Sequence, residues 1–579
     1  MSLWSSLYVG VGGLQTSNNA LNTVSHNLTN VDTEGFTRQQ VQQSDRSYIT
    51  ISKTASAISF QQTGLGVYYS NVKQVRDYFL DKTFRRESGR SMFYEVSRDT
   101  LVEVEDLLGE LNGTQFQTSM SDLWTAVQEL TKDPCNSVTQ SSLVSEAQEF
   151  LANAKSVYEG LCSYQDNLNL QIKQKVEQIN EIGTAILKLN DQIRNVEMAG
   201  EKANDLRDTR NLYLDQLSEL ADINYAEDIY GNVSVQIEGE DFVKGSMCYQ
   251  IELDYDENTK FYTPFWPQNA EYTIDSDGNK VYDISNALLF DLNREISSDL
   301  GTDIGGLKAM MLARGDHRAD YTDIESDYDT VAQSVLMNIE AEFDQLIHNT
   351  ITAINDVLAE AAGVQTYTLA DGTTIRAVAE GGDYMIDTDG SPLQLFKKST
   401  TEGYHLTDMG GVTATDADGN TVTLTGNYWV FEKERPSDKE SLYGADNAAI
   451  NQHLLQTPTL LGFRLADGSE DTWTMEKLKA VFTEQNYTLN PYVLKSVNLT
   501  DYYGDLVAQI ANSAYVYSSI YDNQQTTVSA AESARDQITA VSSDEELSNM
   551  IKFQSAYNAS SRFINVVDEM LEHLLTSLG

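Results

Sequence analysis

Apolar residues recur along the first thirty positions of the chain at alternating steps of four and three. They occupy two positions of a seven-residue repeat, one held by Leu7, Leu14, Leu21 and Leu28 and the other by Leu3, Gly10, Ser17, Val24 and Val31. Such a repeat predicts a helix whose narrow apolar stripe packs against a partner helix, as in a coiled coil. The residues expected to form an assembly interface at this end are Leu3, Leu7, Leu14, Leu21, Val24, Leu28 and Val31.

The C-terminal segment carries a similar stripe that runs to the last residue but one. Its expected interface residues are Phe563, Ile564, Val567, Met570, Leu571, Leu574 and Leu578. Because both ends of the chain carry such stripes, we expect the termini to pair with each other and with neighbouring copies. This arrangement favours a self-assembling structural protein over an enzyme.

Between the two ends, the hydrophobic pattern changes from helical to β and back to helical. Residues 75–220 are strongly helical, and the apolar rhythm of residues 172–196 is typical of the core of an antiparallel bundle. From about residue 222, alternating segments and recurring Asp-Gly pairs predict β-hairpins. Helix returns over residues 306–362, and again from about residue 502 to the end with a break near residues 541–543.

The predicted fold class is mainly α with an inserted β domain, built from nested, discontinuous domains. Terminal coiled-coil helices form a polymerisation domain of residues 1–75 and 536–579. A long antiparallel helical bundle takes residues 76–222, 301–362 and 471–535. A β-rich outer insertion takes residues 223–300 and 363–470.

Composition narrows the range of partners and compartments. The 579 residues contain 39 Lys and Arg against 87 Asp and Glu, a net charge of −48, so nucleic acid and anionic membranes are poor partners. No run of eighteen apolar residues occurs, and the N-terminus lacks the pattern of a Sec signal peptide. Three widely spaced cysteines indicate incidental thiols. These features fit a cytosolic protein or one exported by a specialised secretion machine.

The sequence contains no complete catalytic or metal-binding pattern of the kinds considered. Asp275, Asp277 and Asn279 have the spacing of a calcium loop, as do Asp416, Asp418 and Asn420, but both segments lack the later Gly and Glu of an EF-hand. The six histidines include no His-Glu-x-x-His pair, and no Gly-x-Ser-x-Gly elbow occurs. We therefore expect no catalytic residue, no metal site and no cofactor.

A basic stretch stands out in this acidic chain. It contains Lys73, Arg76, Lys82, Arg85, Arg86 and Arg90. Two interpretations are open, a solvated helix face balanced by nearby acids and a contact with carboxylates of another subunit.

Several ordered motifs resemble the bacterial flagellar rod, hook and hook-associated axial proteins. The N-terminal signature comprises Gly12-Gly13-Leu14-Gln15-Thr16-Ser17, Ala20 to Asn30, and Thr33-Glu34-Gly35-Phe36-Thr37-Arg38. Further segments narrow the resemblance to the hook-associated members, namely Val75 to Leu80, Ala203-Asn204-Asp205-Leu206 with Asp208 and Arg210, Gly305-Gly306-Leu307, and Asp544-Glu545-Glu546-Leu547. The resemblance covers the bundle and both termini.

This resemblance implies a subunit exported by the flagellar type III apparatus and placed at the junction between hook and filament. The partners it implies are copies of the same chain, the hook protein, a second, filament-side junction protein, the filament cap protein during assembly, and an export chaperone. Neither nucleic acid nor membrane is among them. The implied location is outside the cell, in the flagellar hook.

Two alternatives remain at this point. A hook or distal-rod subunit would share the N-terminal signature, but the long bundle and the acidic start of the last helix argue against it. A secreted adhesin with an acidic β domain would share the hairpins, but it would not need heptads at both termini.

Overall fold

The structure is a computed structural model that describes residues 3–47, 49–53, 60–108, 115–274, 280–382, 384–465 and 468–578. The N-terminal region consists of one helix and four strands: α1 (Leu3–Thr29), β1 (Gln39–Asp45), β2 (Ile49–Lys53), β3 (Phe60–Thr63) and β4 (Val67–Gln74). β1 pairs with β4 and β2 pairs with β3, both antiparallel. The segment 1–75, expected to be coiled coil, therefore also contains two β-ribbons.

Four helices follow and form the first part of the bundle: α2 (Tyr78–Leu108), α3 (Gln115–Lys132), α4 (Ser137–Met198) and α5 (Asn204–Leu220). At 62 residues, α4 extends for about 93 Å. Its first turn is capped by the Asn136 side chain, which accepts a 2.9 Å hydrogen bond from the Val138 backbone N–H. The apolar residues of 172–196 are buried along one side of α4, which confirms that they form intramolecular core.

The next segment is a series of short antiparallel strands: β5 (Ile223–Glu227), β6 (Val233–Ile237), β7 (Glu240–Lys244), β8 (Met247–Cys248), β9 (Glu252–Tyr255), β10 (Tyr262–Phe265), β11 (Glu271–Ile274) and β12 (Lys280–Asp283). The expectation that residues 223–300 lie wholly outside the bundle is wrong. Val235, Phe242 and Trp266 are buried in the same core as α4. At Gly183 of α4 an added Cβ would lie 2.2 Å from the Phe242 ring, so the hairpin packs directly on the helix backbone.

Helix then returns in four pieces: α6 (Gly306–Arg314), α7 (Tyr321–Ser326), α8 (Tyr328–Val331) and α9 (Val335–Ala361). The connecting segment of residues 315–334 divides what the sequence indicated as one helical stretch. It is attached to α9 by buried carboxylates, since Glu340 accepts a hydrogen bond from Ala319 N–H and Asp344 accepts one from Tyr321 N–H.

Eight further strands follow α9: β13 (Gln365–Leu369), β14 (Thr374–Ala379), β15 (Phe396–Lys398), β16 (Tyr404–Asp408), β17 (Val412–Thr415), β18 (Thr421–Leu424), β19 (Asn427–Phe431) and β20 (Ala448–Ile450). Six of them form one antiparallel sheet in the order β16-β19-β14-β13-β17-β18, with a small core of its own. Asp371-Gly372 and Asp418-Gly419 lie in tight turns of this sheet, as their chemistry predicted, whereas Asp277-Gly278 lies outside the described residues.

The outer sheet does not contain the whole of residues 363–470, and this expectation is also corrected. Leu393, Leu395 and Phe396 are fully buried in the main core, together with Leu454 and Phe463. The chain therefore leaves the outer sheet after β14, crosses the bundle core and returns to the sheet. Apolar residues draw these segments inward, and the Asp-Gly turn signals around them do not reveal that path.

Four more helices complete the bundle and the C-terminal end: α10 (Gln452–Gln456), α11 (Thr472–Thr483), α12 (Leu499–Thr539) and α13 (Ser543–Leu578). Single 3-10 turns lie at Lys439–Ser441 and Pro458–Leu461. α12 packs along α2, and α13 packs along α1. The predicted pairing of the two chain ends is thus confirmed, and the helix break falls between Thr539 and Ser543.

Candidate assembly interface

The two terminal helices meet along a stripe of small residues on α1. The buried or closely packed positions of this stripe are Gly10, Gly13, Ser17, Ala20, Val24 and Asn27, which follow one another at steps of three and four. An added Cβ at Gly10 would lie 2.7 Å from Ile564, and one at Gly13 would lie 2.7 Å from Ser560. The absence of side chains at these two positions therefore lets the helices approach closely.

A second side of α1 is covered by the β1–β4 ribbon. A Cβ at Gly12 would lie 2.7 Å from the carbonyl oxygen of Val67 in β4. Thr16, one turn further, is buried and donates its hydroxyl to the Gly12 carbonyl at 2.7 Å. α1 thus packs against α13 through one side and against a strand backbone through a second side.

The expected interface residues take three different environments. Val24 and Val567 are buried. Half-buried positions are Leu7, Leu14, Leu21, Leu28, Ile564 and Leu571. Exposed positions are Val31, Phe563, Met570 and Leu574. The side chains of Leu3 and Leu578 lie outside the described part of the chain.

The two heptad rows of α1 therefore differ in their environment. The row of Gly10, Ser17 and Val24 faces α13, whereas the leucine row lies beside the seam and is only half covered. By hydrophobicity alone, the leucine row would be expected to face α13. The row of small residues faces α13 instead, because small side chains at the contact permit a short distance between the helix axes.

Large apolar side chains remain exposed on both terminal helices. Trp4, Tyr8 and Val11 lie on one side of α1, roughly opposite to its small-residue stripe, and Trp4 is 66% exposed. On α13, Phe563, Val566, Met570 and Leu574 follow helical spacing along the flank of the seam, and Met570 is 56% exposed. We call these seven residues the terminal apolar surface. Groups of exposed apolar side chains of this kind mark sites of protein association.

Four members of this surface were not identified from the sequence: Trp4, Tyr8, Val11 and Val566. The steps of four and three between Trp4, Tyr8 and Val11 were a usable signal. They were missed because the leucine repeat on the same helix is more regular. Val566 carried no such signal, since it lies between two better-patterned rows.

A buried polar joint connects the terminal helices to the strand that follows α1. Arg38 pairs with Glu545 at 2.8 Å and with Glu546 at 2.9 Å, and Glu546 is only 2% exposed. The Asn27 side chain donates to Glu546 at 3.2 Å and also bonds the backbone of Gln39 in both directions. These contacts fix the start of α13 against the end of α1.

The same joint extends to the start of α5. Gln39 donates to Asp205 at 3.0 Å, and Gln74 of β4 donates to Asp208 at 2.7 Å. Burial raises the pKa of Asp208 to about 6. Segments that resemble the axial proteins, although distant in sequence, therefore meet in one place, where they link the terminal helices to the bundle.

The candidate calcium loop at Asp416 has an ordinary structural role. Asp416 accepts hydrogen bonds from the backbone N–H groups of Asp418 and Asn420, which is the pattern of a closed turn, and Asp275 to Asn279 lie outside the described residues. Within the described ranges, no three His, Cys, Asp or Glu side chains are grouped so that they could hold a metal ion. No helix of the described chain is long and apolar enough to cross a membrane.

Family models match three parts of the chain. Residues 101–367 match the flagellar hook-associated protein FlgK helical domain, residues 7–37 match the flagella basal body rod protein family, and residues 534–577 match the C-terminal family of the flagellar basal body rod FlgEFG proteins. The two terminal matches coincide with α1 and α13.

Full-length relatives agree with these matches. The chain is 25% identical over 562 residues to flagellar hook-associated protein 1 of Bacillus subtilis, covering 97% of this chain and 95% of that protein. It is 23% identical to the Escherichia coli protein of the same name, covering 98% of each.

A solved structure with partial likeness is the flagellar hook junction protein FlgK from Burkholderia pseudomallei, with a TM-score of 0.49 and 14% identity over 80% of this chain and all of that one. The motif-bearing joint, the matched terminal helices and the full-length relatives give one consistent assignment. The chain is therefore similar to flagellar hook-associated protein 1 over nearly its whole length, and its two ends match families of flagellar rod proteins.

Proposed function

We propose that this chain is a subunit of the junction between hook and filament, and that copies of it assemble through the terminal apolar surface. The observation that carries the proposal is the exposure of that surface on a helix pair whose other face is closely packed. An exposed apolar stripe beside a buried seam is what a subunit needs when its neighbours complete the helical packing.

Burial of this surface supplies a driving force for assembly. Full burial of one large apolar side chain contributes roughly 1.5–3 kcal/mol, before the entropy of association is subtracted. The seven residues are 38–66% exposed in the monomer, so each gains roughly half of that value when neighbouring copies cover it.

The partners of this assembly follow from its position in the flagellum. Copies of the chain contact each other, the hook protein lies below them, and a second junction protein lies on the filament side. We include in the proposal type III export, an export chaperone that covers the exposed terminal surface before secretion, and the cap protein under which the subunits are placed. The similarity to flagellar hook-associated protein 1 supports self-assembly and contact with hook and filament components.

The experiment that tests the proposal uses single charge substitutions at exposed positions. In a strain that lacks this gene, Val566→Asp and Met570→Asp should be secreted but should not be retained at the hook, because a charge in a closed apolar contact lacks a partner. Purified variants should unfold at the wild-type temperature, since both side chains are exposed in the monomer.

Leu494→Asp is the matched control. Leu494 is 96% exposed and lies outside the terminal helices, so this variant should support normal filaments. Normal filament number and motility with both Val566→Asp and Met570→Asp would contradict assembly through this surface.

A further inference from the structure

A polar groove of about 450 Å³ runs beside α5 and is lined by β4, the start of α2 and the β5–β6 hairpin. Its cationic lining residues are Lys73, Arg76, Arg85, Lys202, Arg207 and Arg210. Its acidic lining residues are Asp81 and Glu227. Across the whole chain, acids outnumber bases by 87 to 39, so this basic groove reverses the overall balance.

Part of the groove is formed by the basic stretch identified in the sequence. Neither a solvated helix face nor a contact with another subunit accounts for every residue of that stretch. Arg85 is buried and pairs with the distant Asp215 at 2.6 Å, while Arg76 pairs with Asp81 at 2.5 Å. These arginines are therefore internal ion pairs of the joint and are not available to a partner.

The rim of the groove has cationic groups that remain available. Lys73 is exposed and makes no ion pair within the described part of the chain. Lys202 has a 3.3 Å contact with Glu197, but Glu197 is also bound by Arg207 at 2.9 Å. Arg207 and Arg210 are also paired, with Glu197 and Glu227, so Lys73 and Lys202 are the lining cations that remain for a partner.

The opposite side of α5 has the reverse charge. Residues 204, 207, 210, 211 and 214 of α5 line the basic groove, whereas residues 205, 208, 209 and 212 line a hollow formed with the turn after α1. By helical geometry these two sets lie on roughly opposite sides of the helix. Asp32 and Glu34 of that turn are exposed, and the Asp205 side chain is 70% exposed beside His26 at 3.3 Å. We call Asp32, Glu34 and Asp205 the acidic edge.

We propose that the basic groove of one copy receives the acidic edge of the adjacent copy when the chains are arranged around the flagellar axis. The inference rests on the proposed function, because it requires neighbouring copies at the same level. A closed ring or helix of identical subunits uses two different surfaces on opposite sides of each subunit. Complementary charges on those surfaces fix the register of neighbours and repel wrong orientations.

Charge reversal with rescue tests this contact in the complete chain. Lys73→Glu combined with Lys202→Glu should reduce the number of filament-bearing hooks roughly tenfold, and Asp32→Lys combined with Glu34→Lys should do the same, because each creates like-charge contacts. The four substitutions together should restore filaments, because the paired charges are then exchanged. Lys155→Glu with Lys188→Glu, at exposed lysines of α4, should have no effect.

Covalent trapping gives a second measurement on assembled flagella. Oxidation of a Lys73→Cys, Glu34→Cys variant should yield dimers and larger disulfide-linked ladders of this chain, whereas Lys155→Cys with Glu34→Cys should yield none. Assembled hooks without any ladder, or reversed charges that assemble normally, would overturn the inference.

The outcomes also separate this inference from the proposed function. If Val566→Asp blocks assembly while the charge reversals do not, only the contact between groove and acidic edge is wrong. If Val566→Asp and Met570→Asp assemble normally, the proposed assembly through the terminal apolar surface fails, whatever the charge variants do.

Discussion

Glu546 is the most enclosed ionised group of the joint, and its loss should loosen the terminal helices. Glu546→Ala leaves Arg38 with only the exposed Glu545 as a partner and leaves the Asn27 amide without its 3.2 Å acceptor. We expect a cost of about 1–3 kcal/mol in the docking of α1 and α13. The weaker docking should be measured as faster hydrogen exchange of residues 3–29.

The control for this substitution is Arg194→Ala. Arg194 and Asp191 form a pair one turn apart on α4 with side chains 39% and 49% exposed, so its removal should change stability by less than about 0.5 kcal/mol. Equal effects of the two substitutions would show that the joint does not depend on the buried carboxylate.

Two glycines within helices should respond to alanine in opposite directions. Gly12→Ala places a Cβ 2.7 Å from a strand carbonyl that cannot move aside, and should destabilise the terminal region by about 1–3 kcal/mol. Gly504 in α12 is exposed and has no atom within 4 Å of an added Cβ, so Gly504→Ala should stabilise the chain by about 0.5–1 kcal/mol. Thermal unfolding of both purified variants checks the signs, and destabilisation by Gly504→Ala would contradict this account.

At the scale of elements, buried carboxylates of α9 make the bundle sensitive to pH. Burial raises the pKa of Glu340 to about 8 and that of Asp344 to about 7. A carboxyl whose folded pKa is raised binds more protons in the folded than in the unfolded state between the two pKa values. Its contribution to stability is therefore complete below about pH 4.5 and is lost as pH rises towards 8.

The free energy of unfolding, measured by denaturant titration between pH 5 and pH 9, should fall with rising pH in the wild-type chain. Glu340→Gln should flatten this dependence, since the amide has no charged form to bury. Glu177→Gln, at an exposed position of α4, should leave the profile unchanged. A parallel profile for wild type and Glu340→Gln would contradict a role for this carboxyl.

At the scale of the whole molecule, the path of the chain through the β region determines what can be removed. Replacing residues 366–430 with a short linker would delete Leu393, Leu395 and Phe396 from the main core, so the bundle should unfold or aggregate. Replacing only residues 411–425, the β17–β18 hairpin at the edge of the outer sheet, should leave the bundle folded and filaments present. Circular dichroism and motility of the two deletion strains compare these outcomes.

Tolerance of the larger deletion would show that the inward segments contribute little to the core. Loss of filaments in the smaller deletion, with an intact secreted bundle, would instead assign the hairpin to a subunit contact.

The sequence by itself determined the long helices and the tight turns, and its two unpartnered apolar stripes indicated that the chain ends pair. Helical periodicity at residues 3–29, 172–196 and 563–578 and the Asp-Gly turns record contacts within a few residues of each other, which a linear pattern can show. The motifs also indicated the family, because Asn27, Arg38 and Glu546 occur in an ordered arrangement.

Only the tertiary structure decided which heptad row faces inward, where residues 385–396 lie, and which acids pair with the basic stretch. Each depends on groups far apart in sequence, such as Gly10 with Ile564 and Arg85 with Asp215. Closure of such long loops is directed by packing of the complete core, and local propensity carries no record of it. The terminal apolar surface was only partly predicted for the same reason, since the exposure of a side chain depends on how the rest of the chain packs.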